Sequence, residues 1–204
     1  IHLGSCTKAI TAVLLARLVD QGLLRWDDSL GSQATQLGER LPQSHRAVTL
    51  EQLLQHRGGF PPNARDWWLT RGRNVSEYRS EILVDSLNNL QLDPPGKTEV
   101  YSNLGYMAAG LIAEYRTGES WEELLQREVF QPLGLKSAGF GPRSLHGSLE
   151  QPWGHSLDQE TLKSSQHDNP PALGPAGTVH LSIADWFRFC ELFAGGGPPD
   201  FLRA

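Results

Sequence analysis

Glycine and proline cut this chain into short pieces, and that punctuation limits its fold more than any other feature. Apolar residues recur at helical spacing, and a Gly or Pro follows each such stretch within a few residues. Ser5 to Val19 sets Ile10, Val13, Leu14 and Leu18 on one helical face, then meets Gly22. Thr49-Leu50-Glu51-Gln52 has the form of a capping box and predicts a helix over Leu50 to Gln55, stopped by Gly58-Gly59 and Pro61-Pro62. A helix over Val75 to Asn88 runs into the turn Asp93-Pro94-Pro95-Gly96, and one from about Leu104 to Tyr115 ends at Thr117-Gly118. Ser120 caps Trp121 to Phe130, with Glu122 and Glu123 in the first turn, where acids suit the helix dipole. Pro132-Leu133-Gly134-Leu135 closes that helix. Ser182 caps a last helix over Ile183 to Phe193, which Gly195 to Pro199 stop. Strand alternation is weak throughout, so the chain reads as helices joined by loops. The long segment Ser137 to Ala176, rich in Gly, Pro, His and Ser, reads as a functional loop or lid.

Composition removes several function classes. At 204 residues and 39% hydrophobic, the chain has enough apolar material for a core without staples. A net charge of −5 with no basic block argues against nucleic-acid binding. No apolar run approaches the ~20 residues of a membrane span. Cys6 and Cys190 make neither a disulfide framework nor a CxxC, and Cys6 is expected as a small buried residue on the far side of a helix start. The histidines, among them His146, His155, His167 and His180, lack zinc-ligand spacing, so no metal or cofactor is expected. Lys97-Thr98 fails as a P-loop because Gln91 stands where a glycine is required. Asn74-Val75-Ser76 has the pattern of a glycosylation sequon. Trp67-Trp68 and Trp153 are compatible either with core packing or with lining a cleft. His56 reads as a residue that orders a turn.

Two motifs carry chemistry. Ser5-Cys6-Thr7-Lys8 is an S-x-x-K at a helix start. Residues three apart share a helix face, so the Lys8 amine can reach the Ser5 hydroxyl. A serine hydroxyl becomes a useful nucleophile when a base takes its proton, and a lysine can do so if desolvation or nearby positive charge lowers its pKa. Tyr101-Ser102-Asn103 follows the Pro-Gly turn and opens a helix. Its phenol can pass a proton to a leaving group, and its amide can both donate and accept.

In the order S-x-x-K, H-x-G-G, P-G, Y-S-N and P-L-G-L, the chain resembles the class C β-lactamase, esterase and D,D-peptidase superfamily of penicillin-recognising serine hydrolases. Gly4 to Lys8 is similar to its first motif, and Tyr101-Ser102-Asn103 takes the place of its second. Leu53 to Gly59 resembles its LLxHxSG stretch, with Gly58 for the usual Ser. Tyr106, Gly110, Gly118 and the segment from Ala176 to Asp185 also fit, so the resemblance spans nearly the whole chain. The family's third motif, K-T-G or H-x-G, is not found; Arg116-Thr117-Gly118 has the wrong order and context for it.

The resemblance implies an α/β β-lactamase/transpeptidase-like fold. The chain is expected to be an internal fragment of one catalytic region, mostly helices and long loops, with most of the sheet outside it. Residues 1–22 would form the nucleophile helix, 23–136 a mostly helical domain, and 137–204 a long loop and returning helix. Ile10, Val13, Leu14 and Leu18 would then lack part of their cover. The implied reaction is acyl-enzyme hydrolysis of a β-lactam, D-alanyl peptide or ester. Ser5 is the expected nucleophile, Lys8 and Tyr101 handle its proton, and Asn103 binds substrate. The expected partner is a small-molecule or peptide substrate, and the expected location is periplasmic or secreted. The alternative is a catalytically incompetent fragment or a non-catalytic binding relative. Nothing in the sequence selects an oligomeric state.

Overall fold

The computed structural model describes residues 1–33, 35–65, 67, 74–142, 151, 153–158 and 160–202. A 3-10 turn, Gly4–Cys6, leads directly into α1, Thr7–Asp20. Two short helices follow, α2 (Leu30–Gln33) and α3 (Thr35–Arg40), then α4 (Leu50–Leu54) and α5 (Val75–Asn89). The chain continues through α6 (Asn103–Thr117) and α7 (Trp121–Leu125), which runs on into a π-helical turn, Gln126–Phe130. The last third holds β1 (Gly139–Phe140), β2 (Gly154–Asp158), β3 (Thr161–Ser165), α8 (Gly174–Gly177), β4 (Val179–His180) and α9 (Ile183–Cys190).

The helix starts follow from their caps. Thr49 accepts from the Gln52 amide while the Gln52 side chain accepts from the Thr49 amide, and Ser120 and Glu123 repeat this reciprocal pair. Asn74 spends its side-chain oxygen on the amides of Ser76 and Glu77, so the sequon asparagine is the cap of α5. Gly118, at φ 75°, ends α6 in the left-handed conformation that favours glycine.

The centre of the molecule is α6. Every residue from Leu104 to Glu114 is buried. It packs against α1, α4, α5, α7 and α8. Gly110 permits the closest of these approaches, because a Cβ there would lie 2.5 Å from Pro175 Cγ. The four apolar residues of α1 do not lack cover: Ile10, Leu14 and Leu18 are fully buried and Val13 nearly so. The reason is that α6, α7, α8 and the π-helical turn all contact α1 and enclose its apolar face.

A buried cation ties the last third to the helices. Arg79 on α5 is fully buried and donates to Glu114 of α6 at 2.5 Å and to Glu122 of α7 at 2.5 Å. Its remaining hydrogens reach the carbonyls of Pro171 and Ala172 at 3.0 and 3.1 Å. The segment that follows, including α8, is thereby pinned over α1 and α6.

Sheet is sparse among the described residues. β1 and β4 pair antiparallel, Gly139 opposite His180 and Phe140 opposite Val179. β2 and β3 pair antiparallel from Gly154–Ser165 to Asp158–Thr161, within the segment expected to be a loop. This ribbon stands off the core: Leu157 and Leu162 face each other across it at 72% and 71% exposure. Both its faces meet solvent, so its sequence carries no inside-outside alternation by which it could have been read.

Gly110→Ala should lower the melting temperature, although Ala gains about 1 kcal/mol over Gly in an unencumbered helix interior. The new methyl group meets Pro175, and overpacking costs roughly 1–3 kcal/mol. Thermal unfolding followed by circular dichroism measures the balance; an unchanged or raised midpoint would mean that the α6–α8 contact is loose.

Candidate active site

The 3-10 turn and first turn of α1 put Ser5 and Lys8 on one side of the helix. Ser5 is exposed, whereas Lys8 is only 6% exposed. The Lys8 ammonium donates to Ser5 Oγ at 3.2 Å, Asn103 Oδ1 at 2.7 Å and the Ala176 carbonyl at 2.9 Å. Tyr101 OH donates to Ser5 Oγ at 2.7 Å. The four residues singled out from the sequence therefore meet: Lys8 and Tyr101 at the Ser5 hydroxyl, and Asn103 at the Lys8 ammonium.

Backbone contacts hold each participant. Pro61-Pro62-Asn63, just after the Gly58-Gly59 break, is stitched to the second motif. Ser102 Oγ donates to Pro61 O at 2.7 Å and the Asn103 amide N–H to Pro62 O at 2.8 Å. Asn103 Nδ2 donates to Asn63 Oδ1 at 2.8 Å. This orients the Asn103 carbonyl oxygen toward Lys8. On the other side, Thr11 Oγ1 donates to Pro175 O at 2.8 Å and Val179 N to Thr7 Oγ1 at 3.1 Å. Those bonds fix α8 against α1 and aim the Ala176 carbonyl at the Lys8 ammonium.

Burial sets the electrostatics. Desolvation lowers the Lys8 pKa, against the neighbouring phenol, which raises it. For Tyr101, burial alone would raise the phenol, but the Lys8 charge and the Ser5 hydrogen bond outweigh it and bring its pKa below the ordinary value. The Lys8 ammonium also lies 4.7 Å from the centre of the Tyr101 ring. The pair can therefore take the Ser5 proton more readily than a solvated lysine or phenol.

Three participants carry no recognisable motif: Asn63, the Ala176 carbonyl and His2. The first is an exposed loop residue whose only cue is the double proline before it. The second is a backbone atom, which no residue type announces. His2 accepts the Gly4 N–H on Nδ1 at 3.1 Å and meets Asp168 through Nε2 at 2.7 Å, bracing the turn before Ser5. Cys6 corrects an expectation: it is exposed and free, because the 3-10 turn carries it to the solvent side next to Ser5. Trp67 is buried in the core, while Trp68 and His146 lie outside the described residues.

Compared with known proteins, the Beta-lactamase family model matches residues 1–202. The chain belongs to this family of serine hydrolases. Penicillin-binding protein 4 of Amycolatopsis lactamdurans is 31% identical over 204 residues, covering 98% of this chain and 52% of that protein. Among solved structures, the octameric penicillin-binding protein homologue from Pyrococcus abyssi aligns at TM-score 0.74 and 25% identity, over 95% of this chain and 44% of that one. The D-stereospecific amidohydrolase from Streptomyces sp. aligns at TM-score 0.78 and 21% identity, over 99% and 63%. That last likeness speaks to the fold alone: a helix-rich part of the β-lactamase/transpeptidase-like fold. The chain spans about half the length of the curated relative it matches. Among the described residues no helix is long and apolar enough to cross a membrane.

In tyrosine-labelled NMR, one of the four phenols should titrate below the free value and move upward in Lys8→Met, since the substitution removes the charge that favours phenolate. A resonance that stays in place would mean that Lys8 does not act on Tyr101.

Proposed function

We propose that the protein is a serine hydrolase working through an acyl-enzyme on Ser5. The observation that carries this reading is the contact set on one hydroxyl: Lys8 at 3.2 Å and Tyr101 at 2.7 Å from Ser5 Oγ. Ser5 Oγ attacks a carbonyl carbon while its proton passes to Lys8 or Tyr101. The tetrahedral oxyanion is met by the Ser5 N–H, which as one of the first amides of its helix has no intrahelical acceptor. Collapse expels an amine or alkoxide, which takes the proton back from Tyr101, and water then hydrolyses the ester formed on Ser5. Asn103, held between Lys8 and Asn63, presents its remaining amide hydrogen to the substrate.

The substrate class is a compact ester or amide: a β-lactam, a D-alanyl peptide or a simple ester. The name of one relative, a penicillin-binding protein, supports this class. A peptidoglycan-type substrate would put the protein outside the cytoplasm. In domain terms, 1–22 is the nucleophile helix, 23–136 the helical domain, and 137–204 the long loop and returning helix.

A fluorescent penicillin or fluorophosphonate should label Ser5, and Ser5→Ala should abolish the label. Lys8→Ala should slow acylation by about 10²–10⁴-fold, the range of a lost general base, with a smaller effect on binding. Because Lys8 must be neutral to act as the base, the wild-type acylation rate should rise with pH through its lowered pKa, and this rise should vanish in Lys8→Ala. Label on another residue, or an unchanged rate in Lys8→Ala, overturns the assignment. Release of the label with time distinguishes turnover from acylation alone.

A further inference from the structure

His56 lies outside the set Ser5, Lys8, Tyr101 and Asn103, yet it touches the second motif and its flanking residues. Its Nδ1 accepts the Ser102 N–H at 3.1 Å. Its ring lies 4.6 Å from the Tyr101 ring and 5.2 Å from the Tyr106 ring. Its carbonyl accepts the Val100 N–H at 2.9 Å, so main chain and side chain grip the same stretch, Val100 to Ser102. The backbone is in the left-handed region at φ 57°, where residues other than glycine are uncommon and histidine, asparagine and aspartate are enriched. That conformation swings the ring back from the end of α4 under the Tyr101 phenol.

We propose that His56 is a positioning residue for this site: its neutral imidazole, acting as acceptor and as aromatic floor, fixes Tyr101 and Asn103 on either side of Ser102, and its protonation releases them. Nδ1 can accept the Ser102 N–H only while it is unprotonated; an imidazolium offers two donors and no acceptor. The hydrogen on neutral His56 therefore sits on Nε2. The ionisable groups facing the ring are Lys8 from α1, Tyr106 from α6, and Tyr101 and Glu99 from the loop that leads into α6; Arg57 adjoins it in sequence. Burial and then the Lys8 charge hold the His56 pKa below that of a free imidazole, against Glu99, which raises it. The acceptor is thus kept at neutral pH and lost under acid. Protonation would also set a second cation near Lys8 and turn the Ser102 amide away, moving both neighbours of Ser102 off Ser5 and Lys8.

The functional half of this proposal rests on the Ser5 hydrolase reading; the structural half does not. Three substitutions separate the contributions. His56→Asn keeps an acceptor and tolerates positive φ; His56→Phe keeps the ring and removes the acceptor; His56→Gly keeps only the backbone conformation. In proton–nitrogen NMR of the unaltered chain, the Ser102 amide should shift with the same midpoint as the His56 ring nitrogens, and in His56→Phe it should not titrate. Fluorophosphonate acylation should fall about tenfold in His56→Phe, the scale of one oriented hydrogen bond, with apparent affinity little changed, and recover in part in His56→Asn. The acid-side loss of rate with the His56 midpoint should disappear in His56→Asn. A Ser102 amide blind to His56 titration overturns the proposal, as does wild-type acylation in both His56→Phe and His56→Gly. Failure of the unaltered chain to be acylated speaks against the Ser5 reading, and the amide titration still decides the role of His56.

Discussion

A guanidinium sealed from water is tolerable only when its hydrogens find acceptors, and Arg79 finds them on three elements at once. Glu114 and Glu122 balance its charge, and the carbonyls of Pro171 and Ala172 take the rest. Everything downstream leans on this cation. The segment it grips becomes α8, and α8 turns the Ala176 carbonyl onto Lys8. Losing Arg79 would leave two carboxylates facing each other in the core and the segment held only from the Lys8 side. The polar core thus joins a remote ion cluster to the Lys8–Ser5 pair through a few residues of backbone.

Small residues make that transmission short. Gly110 lets α6 and the Pro175 ring touch, and Thr11 and Thr7 bond the same segment to α1. Three elements therefore converge within hydrogen-bonding distance of the Lys8 ammonium: the turn at the start of α1, the start of α6 and α8. Each carries a local constraint of its own: a 3-10 turn entered through Gly4 at φ 52°, a serine cap at Ser102, and Pro175 in the first turn of α8. Rigid approach of this kind is what a proton relay requires, because misplacement by about 1 Å can cost 10²-fold in rate.

Much of this was legible in the sequence. Where a helix has an apolar face and a capping side chain, as at Thr49, Ser120 and Ser182, its start was placed to the residue. The Ser5-x-x-Lys8 and Tyr101-x-Asn103 pairs stood out because spacing on a helix determines which side chains share a face. What stayed hidden has a common cause: it is encoded by position rather than by residue type. The Ala176 carbonyl could belong to any residue. Asn63 is an ordinary loop asparagine until Pro61 and Pro62 direct it at Asn103. Helices α2 and α3 are too short for a period to emerge, and β2 and β3 have no buried face to alternate against. Ile10, Val13, Leu14 and Leu18 are buried more fully than the sequence implies, because helices rather than a sheet supply their cover.

An ammonium carries three hydrogens, and Lys8 has three acceptors: Ser5 Oγ, Asn103 Oδ1 and the Ala176 carbonyl. In its charged form every hydrogen has an acceptor, and there is no lone pair to offer. To receive a proton it must first surrender one, and the acceptor it then faces unpaired decides which direction the lone pair points. The bonds to Asn103 and Ala176 are the shorter ones, at 2.7 and 2.9 Å, and the 3.2 Å contact to Ser5 is the loosest. In the proposed reaction the looser contact is the one to open, and the lone pair it leaves would face the Ser5 hydroxyl.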